Sequence, residues 1–280
     1  MIVWIASFPK SGNTWLRMFL KSYFLKENET FSLENSKNDS FLVNYFPNEE
    51  MLKKFKIDYS KFENIVKNWG TLQSYINLNN KTNYLKTHSA MCTIGPYTYT
   101  NKEYTKGAIY LVRDPRDVLV SYSHHLGLDY KKTYELISGT YHFEYPNSKF
   151  KDGMKYKKGL IGKWSDHYNS WKNYKFSKVL IIRYEDMIND KYNTFLKILE
   201  YLNEIDDVKI KKHKIENALK QTEFNELRKL EEKFGFIEKQ KGDFFFRVGK
   251  MNEWKKHLTK EIINKIEKDF EKEMKELGYL

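Results

Sequence analysis

The chain has 280 residues, 40% hydrophobic and 16% aromatic, enough apolar material for a packed core, which excludes a globally disordered chain despite a mean hydropathy of -0.73. Its 49 Lys and Arg against 37 Asp and Glu leave a formal net charge of +12, a surface that attracts polyanions or phosphorylated small molecules without choosing among them. The single cysteine, Cys92, excludes an intrachain disulfide; MIVWIASF is too short for a signal-peptide core and no later apolar run reaches membrane-spanning length, so the chain reads as a cytoplasmic protein with no transmembrane segment and one domain over 1–280.

The first predicted element is a strand from Ile2 to Ala6, followed by Pro and Gly punctuation in SFPKSGNTW and a helix carrying Leu16, Phe19, Leu20, Tyr23 and Phe24 at helical spacing. Residues 27–83 are polar and Asn-rich, with weak helical stretches at EEMLKKF and KFENIVKNWG. NYLKTHSA predicts a short strand with a polar end at Lys86, Thr87 and His88. GAIYLVRD predicts a buried strand and PRDVLVSYSHHL the helix after it. Residues 129–160 pattern poorly and read as a loop over a site or a surface excursion. GKWSDHYNSWKNY predicts a helix, KVLIIRYED a third strand, and 194–203 and 261–277 amphipathic helices, the last with Ile262, Ile266, Phe270, Met274 and Leu277 on one stripe. Strands alternating with helices predict an α/β fold with a mainly parallel central sheet flanked by helices, and ligands in such sheets gather at the carboxyl ends of the strands.

The turn from Pro9 to Trp15 lies at such an end. A strand-loop-helix turn aims free backbone N–H groups and the positive end of the helix dipole at one spot. Gly12 permits close approach, Lys10 adds a full charge, and Ser11, Asn13 and Thr14 add neutral donors, so the turn suits a phosphate or a sulfate. It is not the triphosphate loop GxxxxGK[ST], because the lysine precedes the glycine. LVRDPRDVLVS also suits an anion: Arg113 offers a planar fork of donors, and Ser121 can lie on the helix face turned to the same ligand, although an Arg–Asp ion-pair turn would explain the segment equally.

PKSGNTW resembles the 5′-phosphosulfate loop of the sulfotransferases that use 3′-phosphoadenosine 5′-phosphosulfate (PAPS), and the similarity runs along nearly the whole chain. The resemblance implies their P-loop-NTPase-like architecture, PAPS as co-substrate, adenosine 3′,5′-bisphosphate (PAP) as product, and no metal. YLVRDPRDVLVSYSHH is similar to the 3′-phosphate motif, which implies Arg113 and Ser121 as ligands beside Lys10, Ser11, Gly12, Asn13, Thr14 and Trp15. LKTHSA resembles the catalytic segment, which implies His88 as the general base with Lys86 assisting around the transferring group, while Lys10 is implied to stabilise the bridging oxygen and the leaving PAP. RYEDM and QTEFNELRKLEEKFGF resemble the adenine-contacting segments, implying Tyr184, Thr222 and Phe224; without the resemblance the latter reads as helix. FFFRVGKMNEWKKHLT is similar to the C-terminal motif RKGxxGDWKNxFT, implying Arg247 and Gly249, with Val248 and Asn252 replacing a usual lysine and glycine and Lys250 offered as the missing charge.

The implied reaction is sulfuryl transfer to a hydroxyl of an alcohol, phenol, lipid head group or glycan, with no nucleic-acid partner. The acceptor pocket falls to 27–83 and 129–160, and the sequence specifies neither the acceptor nor the oligomeric state. Two other readings stand beside it. One is a nucleotide-dependent kinase or NTPase with Asp114 as a metal-binding carboxylate, and the other a non-catalytic polyanion- or nucleotide-binding protein. His124 and His125 read as helix surface or a substrate-side wall, and Cys92 as a structural thiol.

Overall fold

The computed structural model describes residues 1–34, 45–144, 157–239, 241 and 244–280. Its strands are Ile2–Ser7 (β1), Asn83–Thr87 (β2), Thr93–Ile94 (β3), Tyr97–Thr98 (β4), Thr105–Val112 (β5), Phe143–Glu144 (β6), Gly159–Leu160 (β7) and Lys178–Arg183 (β8). The central sheet is parallel, in the order β2-β1-β5-β8, while β3–β4 and β6–β7 form separate antiparallel pairs. Every residue of β1 is buried, as a strand covered on both faces requires, which is why it reads as an unbroken apolar run. The register against β2 runs from Ile2 opposite Asn83 to Ala6 opposite Thr87. One further step brings Ser7 to His88.

Contacts divide the chain into two compact units, one of residues 1–8, 44–110 and 136–181, the other of 9–43, 111–135 and 182–280. In the first, Tyr99 joins Trp4 and Trp69 at ring-centroid distances of 5.3 and 5.2 Å, and its hydroxyl meets Thr87 Oγ1 at 2.7 Å, tying the base of β2 to an aromatic core. Cys92 belongs here, its thiol pushed up to about 11 by burial, as a structural cysteine requires. In the second, the helix Asn13–Phe24 turns Met18 into a cluster with Phe31, Leu33, Leu227, Phe236 and Phe246.

The helix Pro115–Leu126 matches its predicted span residue for residue, opened by Asp114 capping the Arg116 N–H and by Pro115 in the first turn. The helices Glu49–Lys54, Phe62–Lys67, Trp164–Lys172 and Lys191–Asp206 stand where the sequence places helical segments. Two others depart from expectation. Tyr130–Ser138 is a helix inside the segment read as a loop, because only Thr133 and Ile137 are buried along it, too few for a stripe to show; 145–156 of that segment lie outside the described residues. The stripe from Ile262 to Leu277 is carried by two helices, Lys260–Asp269 and Glu271–Glu276, joined at a non-helical Phe270. Ile266, Phe270 and Met274 are fully buried, so the stripe is core packing as expected. Among the described residues no helix is long and apolar enough to cross a membrane.

Candidate active site

In the first unit the end of β2 is held from several sides. His88 Nδ1 lies 2.8 Å from the Ser7 carbonyl oxygen and 3.2 Å from Ser7 Oγ. A carbonyl only accepts, so Nδ1 carries the hydrogen and the neutral ring has its basic lone pair on Nε2. The carbonyl of His88 accepts from His167 Nε2 at 3.1 Å. Burial pushes His167 down to about 3, so it is neutral, and its Nδ1 accepts from the Tyr110 hydroxyl at 2.8 Å. Ser89 is fixed through the indole of Trp171, which donates to its carbonyl at 3.0 Å, and the Ser89 N–H donates to Thr87 Oγ1 at 3.0 Å. His88 therefore stands on a backbone that cannot easily shift, with one tautomer selected.

The β6–β7 hairpin supplies a buried ion pair that the sequence reading missed. Lys158 Nζ lies 3.2 Å from Glu144 Oε1, with side chains 6% and 16% exposed, and 3.5 Å from the ring centroid of Tyr45. Burial raises the Glu144 carboxyl, but the charges of Lys158 and Lys86, and that of His88 whenever it is protonated, outweigh it and hold it below the usual carboxylate range. Glu144 thus sits within electrostatic reach of both His88 and Lys86. No local pattern marks this residue: its significance comes from the pairing of Glu144 with Gly159 and from the Ala90 N–H donating to the Leu160 carbonyl at 2.7 Å.

In the second unit Lys10 and Gly12 take left-handed backbone conformations, φ 67 and 97, and Gly12, which has no side chain, opens the helix Asn13–Phe24 without a side-chain cap. A Cβ on Gly12 would come within 2.7 Å of the Tyr184 ring, so this glycine is required both by its conformation and by the close approach. Ser11 Oγ and Arg113 Nε are buried and find no hydrogen-bond partner among the described residues. Orphaned donors beside an uncapped helix start are the features an anionic group would satisfy, so these residues fit the phosphosulfate of PAPS.

Arg113 gathers the surrounding residues. Its Nη1 donates to the Lys10 carbonyl at 3.3 Å, its Nη2 to the Lys250 carbonyl at 3.0 Å, and the guanidinium lies 4.3 Å from the Tyr184 ring centroid. Trp15 meets Tyr184 edge-on at 6.3 Å and Phe195 at 5.4 Å, so it is partly core. Asp117, 2% exposed, accepts from the Asn252 N–H at 2.8 Å and the Trp254 N–H at 3.0 Å, and stands 3.7 Å from Arg113. Ser121 lies one helical turn beyond Asp117 on the same face, half-buried.

Asn252, which replaces a glycine of the resembled motif, has φ 61, the left-handed conformation asparagine tolerates best among residues with a side chain. The loop conformation thus survives that substitution. Gly249 has φ 64 and faces Phe224 so closely that a Cβ would lie 2.2 Å from its ring. Arg247 and the side chain of Lys250 are exposed; Thr222 is fully buried and its hydroxyl donates to the Ala218 carbonyl at 2.7 Å, closing the helix Lys212–Gln221. Asp114, the metal ligand a kinase reading needs, is committed elsewhere: Arg116 Nη2 meets its Oδ2 at 2.7 Å and Arg116 Nε its Oδ1 at 3.0 Å. That ion pair removes the carboxylate on which the kinase reading depended.

Comparison with known proteins points the same way. A family model described as a sulfotransferase domain matches residues 2–278. The chain is similar to sulfotransferase 1E1 of Mus musculus, 26% identical over 97% of this chain and 83% of that one, and to an amine sulfotransferase of Oryctolagus cuniculus, 29% identical over 60% of this chain and 54% of the relative. Its fold is similar to that of a retinol dehydratase solved with androsterone and the inactive cofactor PAP, at a TM-score of 0.62 and 19% identity, covering 98% of this chain and 80% of that one. With the domain model spanning almost its full length, the chain belongs to the sulfotransferase family.

Proposed function

We propose that the protein transfers a sulfuryl group from PAPS to the hydroxyl of a small acceptor, with His88 as general base. The observation that carries this is the Nδ1–H of His88 on the Ser7 carbonyl, which places the proton-accepting lone pair on Nε2 of a partly exposed ring at a strand end. His88 Nε2 takes the acceptor's hydroxyl proton as the acceptor oxygen bonds to sulfur. The bond from sulfur to the bridging phosphate oxygen breaks in line, and Lys10 stabilises the negative charge left on PAP. Lys86 assists around the transferring group. Ser11, the amides of the helix start and Arg113 bind and orient the phosphosulfate and 3′-phosphate, with Ser121, Arg247 and Gly249, while Trp15, Tyr184, Thr222 and Phe224 surround the adenine. The retinol dehydratase structure named above holds androsterone, a small hydroxyl-bearing molecule.

The test compares wild type with His88→Ala for PAP binding and for sulfuryl transfer in the presence of a chelator. PAP affinity stays unchanged and transfer falls by about 10²–10⁴-fold. Residual transfer near the wild-type rate removes His88 from the role, and PAP binding without any turnover across an acceptor panel favours a non-catalytic nucleotide binder.

A further inference from the structure

Arg17 lies one helical turn beyond Asn13 and is only 1% exposed. Its Nε donates to Asn13 Oδ1 at 2.8 Å, and its Nη2 reaches Thr14 Oγ1 at 3.2 Å and Glu238 Oε1 at 2.7 Å. The other carboxylate oxygen, Glu238 Oε2, accepts the Thr14 hydroxyl at 2.6 Å. A residue 224 positions away thus closes a tight ring with the first turn of the phosphate-loop helix. The same stretch of chain engages the loop a second time, through Phe245, whose ring centroid lies 4.0 Å from Lys10 Nζ. Phe236 and Phe246 anchor it in the core, and Glu231 accepts the N–H groups of Phe245 and Phe246 at 2.6 and 2.9 Å.

A threonine hydroxyl has one proton to donate. While Thr14 gives it to Glu238, it cannot give it to a phosphate oxygen. A buried guanidinium needs an anion, and a carboxylate and a phosphate suit it equally well. We propose that Glu238 is the internal counter-anion of the phosphate loop: it holds, in the nucleotide-free protein, the place on Thr14 and Arg17 that an anionic oxygen of the nucleotide takes on binding. Arg17 is then a further residue of the nucleotide seat, and Glu238 sets its affinity by competing for it. This rests on the reading of Thr14 as a nucleotide ligand. A Glu238 that merely braced Thr14 for its ligand would have the opposite effect, because its removal would then weaken binding.

The experiment is a calorimetric titration of PAP and, separately, of inorganic pyrophosphate into wild type, Glu238→Gln, Glu238→Asp, Thr14→Val and Thr14→Val/Glu238→Gln. Losing a charge-assisted competitor tightens both ligands by about tenfold in Glu238→Gln. Glu238→Asp, one methylene shorter, tightens them less and serves if the glutamine variant fails to fold. In the Thr14→Val background the gain shrinks, since the contested hydroxyl is gone. Affinity unchanged or weakened in both single Glu238 variants overturns the proposal while leaving the sulfotransferase reading intact. Tighter pyrophosphate with no PAP binding in any variant upholds the counter-anion and overturns the nucleotide assignment instead.

Discussion

Replacing Asp117 with asparagine tests how far the C-terminal loop depends on the helix Pro115–Leu126. The two carboxylate oxygens of Asp117 each hold one backbone N–H, Oδ2 that of Asn252 at 2.8 Å and Oδ1 that of Trp254 at 3.0 Å. An asparagine offers one carbonyl oxygen, so one of these amides must face its NH2 group, and the surviving bond loses its charge. Hydrogen bonds to a charged group contribute about 1.5–3 kcal/mol each, so the change costs about 3 kcal/mol. If the loop detaches while the rest stays folded, nucleotide binding must close it again, and PAP affinity weakens by about two orders of magnitude. If the loop stays, the free energy of unfolding falls by the same amount. Calorimetric titration with PAP and urea denaturation, run on both proteins in one buffer near neutral pH, separate the two. PAP affinity within about twofold of wild type together with stability within about 0.5 kcal/mol would refute the reasoning, because the cost would then appear nowhere.

Gly249→Ala forces a methyl to within 2.2 Å of Phe224 at φ 64, so the loop or the ring must shift and PAP affinity, read by calorimetric titration, weakens by about tenfold or more; affinity within about twofold of wild type would show that the loop yields without cost. Burial holds His142 at about 4 and His167 at about 3, so both stay neutral in the folded protein after they charge in the unfolded chain. The unfolded state binds more protons in that window, so stability is lost as pH falls below the ordinary histidine value of about 6.5. By pH 5 the two together remove about 4 kcal/mol. Urea midpoints measured from neutral pH down to about pH 5 fall accordingly, and His167→Gln flattens the slope. An identical slope in wild type and variant would show that His167 is not held neutral.

The parts of this protein that are legible in its sequence are those whose function is local. Lys10 to Trp15 sit on one turn and Arg113 to Ser121 on one strand end and helix, so their order and spacing carry the meaning. β1 and β5 are legible because strands buried on both faces cannot tolerate polar interruptions. The helix Tyr130–Ser138 was illegible because it is only nine residues long and buries just Thr133 and Ile137 amid Lys- and Tyr-rich surroundings. No motif marks what Asp117 and Glu238 hold, because those groups, the amides of Asn252 and Trp254 and the side chains of Thr14 and Arg17, lie more than a hundred positions away in the chain.

Sequence alone determined the α/β class, the sulfotransferase resemblance and the identity of the loop that meets an anion, because each depends on residues within a few positions of one another. Tertiary structure decided which charges are already spoken for. It ties Asp114 to Arg116, Asp117 to the amides of Asn252 and Trp254, Glu144 to Lys158, and Glu238 to Thr14 and Arg17. A charge takes its partner from whatever the fold brings within hydrogen-bond reach, and in each long-range pair that partner comes from a different segment of the chain.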